Sequence, residues 1–123
     1  FALQKSMAIF PAFYARQAAQ ALYSPQLLTQ RPELIAHMQA RLLQRPAKEI
    51  ARTIEAVILE AEDAGLLIQN LQVPAMAVIG ETDYVGIPPN LKVLTVPGGH
   101  VSPYEAEGDV RQAIKQVLDL ADN

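Results

Sequence analysis

Residues 73–80 read VPAMAVIG, an apolar run without polar alternation that ends at a glycine. Such a run is typical of a strand buried on both faces, as in a parallel sheet that has helices on each side. A second strand is predicted at residues 91–96, LKVLTV, and an amphipathic helix at residues 109–120, DVRQAIKQVLDL. Asp109 lies in the first turn of that helix, where a carboxylate interacts favourably with the helix dipole. The order strand, strand, helix predicts part of an α/β sheet.

Residues 1–70 have a different pattern, because they predict helices throughout and prolines separate those helices. Ser24-Pro25 fits a helix N-cap followed by proline at the first helical position. The longest predicted helix covers residues 47–64, with Gly65 as its stop signal. Short helices joined at prolines suit a cap or lid better than an independent bundle. We therefore expect a helical cap at residues 1–70 and an α/β part at residues 71–123.

The composition narrows the class of protein. The 123 residues include 10 Lys and Arg and 13 Asp and Glu, for a net charge of −3. The basic residues are scattered and form no run with interleaved aromatics, which argues against a nucleic-acid surface. The absence of cysteine excludes disulfides, thiol catalysis and cysteine-based zinc sites from this chain. No apolar stretch reaches the roughly 18 residues of a membrane helix, so we expect no membrane span. The lack of cysteine fits a cytoplasmic protein without proving one, and we expect no metal and no cofactor.

Two loops, one after each predicted strand, carry residues suited to proton transfer. Asp83 follows Gly80 in GETDYV, and His100, one of two histidines, follows Gly98 and Gly99 in PGGH. The carboxyl ends of parallel strands meet at one edge of a sheet, where functional groups collect. A histidine there takes a proton from a nucleophile, and a carboxylate fixes its tautomer and stabilises the imidazolium. Asp83 and His100 are therefore the candidate catalytic pair.

Aromatic residues near these loops and in the cap are candidates for substrate binding, although aromatic side chains also serve ordinary packing. The candidates are Tyr84 and Tyr104 beside the loops, and Phe10 and Phe13 in the cap, together with Met7 and Tyr14. Three further polar residues fit ordinary roles better than catalysis. Glu81 is the fallback acid but fits a solvated position better, His37 fits a cap helix face, and Ser102 fits a loop hydroxyl.

Residues 66–85 and 91–120 together resemble the C-terminal part of the α/β-hydrolase superfamily. That family shows a buried strand, a G..D motif, a second strand, a G.GH....E motif and a closing helix. The resemblance implies that Asp83 is the triad acid, His100 the triad histidine and Glu105 a structural glutamate. It also implies an α/β fold in which parallel strands with flanking helices follow a helical cap.

The same resemblance implies a hydrolase acting on an ester, thioester or related acyl substrate. The chain has no G-x-S-x-G, and the family places the nucleophile before the acid and the histidine. We therefore expect the nucleophile (Ser, Asp or Cys) and the oxyanion hole to come from a missing N-terminal half. That half, on a separate or cleaved chain, is the expected partner, since this sequence begins at Phe1.

The connection between the two strands departs from the family pattern. Residues 81–90, ETDYVGIPPN, are fewer than the dozen or so that a parallel crossover needs, and their Gly and Pro do not suit a helix. Either residues are missing between about Tyr84 and Pro89, or the strands pair differently. The segments on both sides of this connection match the family, and this favours the first explanation, that residues are missing.

Two other interpretations remain open. The first is a non-catalytic relative of the hydrolases that binds a ligand or assembles with a partner, since fold does not dictate function. Retention of both Asp83 and His100 argues against it, because a binding protein needs neither. The second is a small α/β module that folds independently. A parallel sheet of two strands would expose both of its edges, which argues against this interpretation.

Overall fold

The computed structural model describes residues 10–60 and 62–122, which form a mixed α/β structure. The helices are α1 (Pro11–Leu22), α2 (Pro25–Gln30), α3 (Glu33–Leu43), α4 (Ala47–Ile54), α5 (Gly65–Gln69), α6 (Ser102–Glu105) and α7 (Glu107–Ala121). A π-helical segment, Glu55–Leu59, continues α4. The strands are β1 (Met76–Gly80) and β2 (Lys92–Val96). Within these ranges no helix has both the length and the apolar character needed to cross a bilayer.

The chain divides into two compact units. In the described part, the first unit holds residues 10–20, 28–60 and Glu62. The second unit holds Ala21–Leu27 and residues 63–122, and therefore contains both strands. A short segment of the helical region, Ala21–Leu27, thus belongs to the same unit as the sheet.

The core of the first unit is built on α4. Ile50 and Ile54 are buried, and Tyr14 and Leu42 pack against them. The spacing of four residues places both isoleucines on one face of the helix. The apolar stripe in the sequence therefore forms the core, while the charged residues of α4 remain exposed.

The prediction of one continuous helix over residues 47–64, stopped by Gly65, is wrong. Helix α4 ends at Ile54. The π-helical segment that follows ends with a hydrogen bond of 2.9 Å from the Glu60 N–H to the Glu55 carbonyl. Gly65 instead begins α5, and its N–H donates to Asp63 Oδ1 over 2.8 Å. The Asp63 side chain replaces a backbone acceptor there, so the glycine starts a helix and does not end one.

The two strands pair in parallel, in a register that runs from Met76 opposite Lys92 to Gly80 opposite Val96. The parallel sheet is confirmed, and the alternative that the strands pair differently is wrong. Residues 81–91 connect them entirely as turns and irregular chain. Asn90 has φ of 63°, a left-handed conformation that asparagine adopts more readily than most residues.

The sheet is less buried than the apolar sequence of β1 predicts. Gly80 and Val96 are buried, but Met76 to Ile79 are only partly so. Helix α7 packs on the sheet through Ala113, and it begins two residues earlier than predicted, at Glu107. In the described part of the chain the sheet has two strands, so a run suited to a central strand keeps solvent-accessible surface.

Candidate functional site

The two loops that follow the strands are joined by backbone hydrogen bonds. The Glu81 N–H donates to the Val96 carbonyl over 2.9 Å, which extends the strand pairing by one step. Thr82 then donates twice to the Gly98 carbonyl, from its backbone N–H over 3.0 Å and from Oγ1 over 2.9 Å. Because the strands are parallel, both loops leave the same edge of the sheet, and these bonds hold them together there.

Asp83 and His100 meet at this edge. Both carboxylate oxygens of Asp83 lie 3.1 Å from Nδ1 of His100. The Asp83 side chain is only 7% exposed, whereas that of His100 is 39% exposed. Asp83 Oδ1 also accepts the Val85 N–H over 3.0 Å, which orients the carboxylate. A buried carboxylate therefore faces a histidine that is accessible to solvent.

This geometry assigns the tautomer of His100. An ionised carboxylate only accepts hydrogen bonds, so Nδ1 must carry the proton that it donates to Asp83. The other nitrogen, Nε2, then carries the free lone pair in the neutral ring, and it makes no hydrogen bond with the residues that the structure describes. The ring is thus arranged to accept a proton at Nε2.

The predicted substrate-binding aromatics lie in different places. The Tyr84 ring lies 5.5 Å from the His100 ring, centroid to centroid, at 36°, and its side chain is largely exposed. Tyr104, on α6, instead pairs with Tyr23 at 5.9 Å. Phe10 and Phe13 are exposed and belong to the other unit. Only Tyr84 of this set is brought to the histidine by a contact within the second unit.

The remaining sequence candidates differ in their burial and in the unit to which they belong. Glu81 is exposed at the end of β1, His37 is exposed on α3 of the first unit, and Ser102 is buried at the start of α6. Tyr14 packs in the core of the first unit. Met7 lies outside the described residues.

Glu105 makes the densest set of contacts near the histidine loop. Its Oε1 accepts the N–H of Gly99 over 3.0 Å and the N–H of Ser24 over 2.9 Å. Its Oε2 accepts the Ser24 hydroxyl over 2.5 Å. The sequence predicted only a helix-capping role for Ser24. The Ser24 hydroxyl does have that role, because it accepts the Leu27 N–H over 3.2 Å. Its second partner lies 81 residues away, and no local pattern could have identified it.

The chemistry available at this edge is proton transfer. Across residues 10–60 and 62–122, no group of three His, Asp or Glu side chains is arranged to hold a metal ion. Comparisons with protein-family models, curated proteins and solved structures found no match to this chain. The geometry of Asp83 and His100 therefore carries the functional inference.

Proposed function

We propose that this chain is the C-terminal portion of an α/β-hydrolase-type enzyme that acts on an ester, thioester or related acyl substrate. Asp83 is its triad acid and His100 its triad base. The observation that supports this most directly is the contact of both oxygens of a buried carboxylate with Nδ1 of a partly exposed histidine. The parallel strands that deliver both residues to one sheet edge fit the same fold.

In the proposed reaction, Nε2 of His100 takes the proton from the nucleophile as that group attacks the acyl carbon. Asp83 stabilises the imidazolium that results and keeps Nδ1–H directed toward itself. His100 then gives the proton to the leaving group as the bond between that group and the acyl carbon breaks. In the second half-reaction His100 takes a proton from the water that attacks the acyl-enzyme, and it returns that proton to the nucleophile as the acid is released. In this proposal the nucleophile and the oxyanion hole come from an N-terminal half, since this chain contains no G-x-S-x-G.

Exposed apolar residues on the second unit support a larger domain. Leu66 and Leu67 of α5 are 71% and 73% exposed, and Ile114 and Leu118 of α7 are more than half exposed. The two α7 residues line an apolar groove of about 230 Å³ together with Met76 and Val78 of β1. Further strands and helices of a hydrolase core would cover such surface.

The decisive experiment has two parts. The first is to determine the coding sequence upstream of Phe1, or of any chain that copurifies, and to look for a strand–nucleophile–helix elbow. The second is to measure hydrolysis of p-nitrophenyl butyrate and of an acyl thioester by the full natural protein. His100→Ala should reduce kcat by a factor on the order of 10⁶, as removal of a triad histidine does elsewhere.

His37→Ala is the matched control, because it removes the other histidine of the chain, which is exposed on α3. It should leave kcat unchanged. An upstream sequence without an elbow, or equal activity of the two variants, contradicts the proposal. If His100→Ala left every measured function intact while a ligand still bound, the non-catalytic interpretation would replace it.

A further inference from the structure

We infer that Ser24 is a positioning residue for His100, acting through the carboxylate of Glu105. The importance of this role for catalysis rests on the proposed function, but the hydrogen bonds between Ser24, Glu105 and Gly99 do not depend on it. They link a segment of the helical region to the loop that carries the histidine, and all of them lie within the second unit. The main observation behind the inference is a chain of hydrogen bonds from Ser24 through Glu105 to Gly99.

Ser24 is 6% exposed, and its hydroxyl has two partners. It accepts the Leu27 N–H, which caps α2, and donates to Glu105 Oε2. The backbone N–H of the same residue donates to Glu105 Oε1. Both oxygens of the carboxylate are therefore fixed by one residue, and the carboxylate cannot rotate without breaking a bond to it.

The fixed carboxylate of Glu105 anchors the backbone on the N-terminal side of His100. Glu105 Oε1 accepts the N–H of Gly99, the residue directly before the histidine. Gly98 has φ of +105°, a conformation that favours glycine, and a Cβ on it would lie 2.7 Å from Cβ of Glu105. The double glycine thus lets the backbone lie directly against the glutamate.

Residues 22–24 also anchor the backbone on the C-terminal side of His100. The Val101 N–H donates to the Leu22 carbonyl over 3.1 Å. The backbone is therefore anchored on both sides of the histidine to residues 22–24, directly at Val101 and through Glu105 at Gly99. These two anchors restrict the backbone that directs the ring toward Asp83.

A role in capping alone would predict a different result from a role in positioning. Without its hydroxyl, Ser24 would still donate its backbone N–H, but Glu105 Oε2 would lose its only hydrogen bond among the described residues. The carboxylate could then turn and release Gly99. The effect should reach the His100 ring, which a local change in α2 would not alter.

The test uses the full natural protein and three variants: Ser24→Ala, Ser24→Thr and Ser102→Ala. Ser24→Thr keeps the hydroxyl. Ser102→Ala removes an equally buried serine at the start of α6, close to the histidine in sequence, that is not bonded to Glu105. The readouts are the ¹⁵N chemical shifts of the His100 ring, which report its tautomer, and hydrogen exchange of the Gly99 amide.

Ser24→Ala should lower the fraction of the Nδ1–H tautomer and raise the exchange rate of the Gly99 amide by about tenfold, the effect of losing one anchoring hydrogen bond. Ser24→Thr and Ser102→Ala should match the parent protein in both. The inference is overturned if Ser24→Ala matches the parent, or if Ser102→Ala changes both readouts as much. It is also overturned if Ser24→Ala loses its dispersed spectrum altogether, because the hydroxyl then serves general stability.

These readouts separate the inference from the proposed function, since neither requires hydrolysis. If Ser24→Ala shifts the tautomer in a protein without a nucleophile or activity, the proposed function fails and the positioning role stands. If His100 proves essential for hydrolysis and Ser24→Ala leaves the His100 ring unchanged, the proposed function stands and the positioning role of Ser24 fails.

Discussion

Gly80 and Gly99 lie against each other at the point where the two loops of the site leave the sheet. A Cβ built on Gly80 would be 2.2 Å from the Gly99 carbonyl oxygen and 2.6 Å from that of Gly98. Real Cβ atoms do not approach another atom so closely, so any residue other than glycine at the end of β1 would force the backbone of the two loops to shift. The loop of Asp83 and the loop of His100 are thus packed backbone to backbone.

Gly80→Ala should therefore destabilise the protein by about 1–3 kcal/mol, the usual cost of overpacking a close contact. The opposing atoms belong to the backbone and cannot rotate away. The free energy of unfolding, measured by urea denaturation of the full natural protein, checks this. Gly86→Ala is the control, because a Cβ there would meet no atom within 4 Å. Equal stability of the two variants would show that the loops separate easily.

Asp83→Asn should lower kcat by about 10⁴-fold, because an amide can donate to Nδ1 and so favour the wrong histidine tautomer. The change keeps the shape of the side chain and its place near Val85. Steady-state kinetics of the full natural protein measure the effect. Glu81→Gln removes the neighbouring fallback acid and should leave kcat unchanged. A larger loss in Glu81→Gln would transfer the role of acid to that residue.

Residues 1–123 produced alone should be insoluble or molten. The described sheet has two strands, and large apolar side chains such as Leu66, Leu67 and Leu118 are more than half exposed. A parallel pair of strands with two open edges rarely supports a stable domain. Calorimetry, near-ultraviolet circular dichroism and dye binding test this state. A cooperative transition of a monomer would instead favour an independently folding module.

The hydrogen bond from Arg31 Nε to Glu33 Oε1, 2.8 Å long, lowers the pKa of the Glu33 carboxyl. A lowered folded-state pKa means that this contact adds stability above the ordinary pKa of glutamate and loses it as the pH falls through the folded value. Arg31→Gln should therefore raise the pKa of Glu33 toward its ordinary value. Carbon NMR titration of the Glu33 carboxyl measures the change.

Arg41→Gln is the control for that titration, because it removes a charge from the last turn of the same helix. The pKa of Glu33 should stay low in this variant. An equal rise in both variants would mean that the general charge of α3, and not the hydrogen bond from Arg31, sets the pKa. Since the side chains of Arg31 and Glu33 are both exposed to solvent, the change should affect global stability very little.

Local patterns predicted the parts of the fold that depend on neighbouring residues. Ser24-Pro25 begins a helix as expected, and the hydroxyl of Ser24 caps it. The second strand and the closing helix lie within one or two residues of their predicted bounds. The first strand begins at Met76 and not at Val73, since Pro74 has no N–H for the ladder.

Features that depend on packing or on distant partners escaped prediction. Helix α4 changes to π-helical bonding at Glu55, a change of hydrogen-bond pattern that the apolar spacing of residues 47–64 did not indicate. The contact of Asp83 with His100 is an exception, because parallel strands place their carboxyl ends at one edge of the sheet. The contact of Ser24 with Glu105 followed from nothing in the sequence, because it depends on how residues 22–24 lie against the double glycine.

The separation of Ser24 from Glu105 by 81 residues also bears on the order of folding. Contacts between distant residues require the closure of a long loop, and proteins that depend on them fold more slowly. During synthesis, Ser24 leaves the ribosome long before its partner exists. The backbone around His100 is therefore expected to become ordered only after the chain has been made as far as Glu105, so that the helical segment at Ser24 must wait for the loop that it anchors.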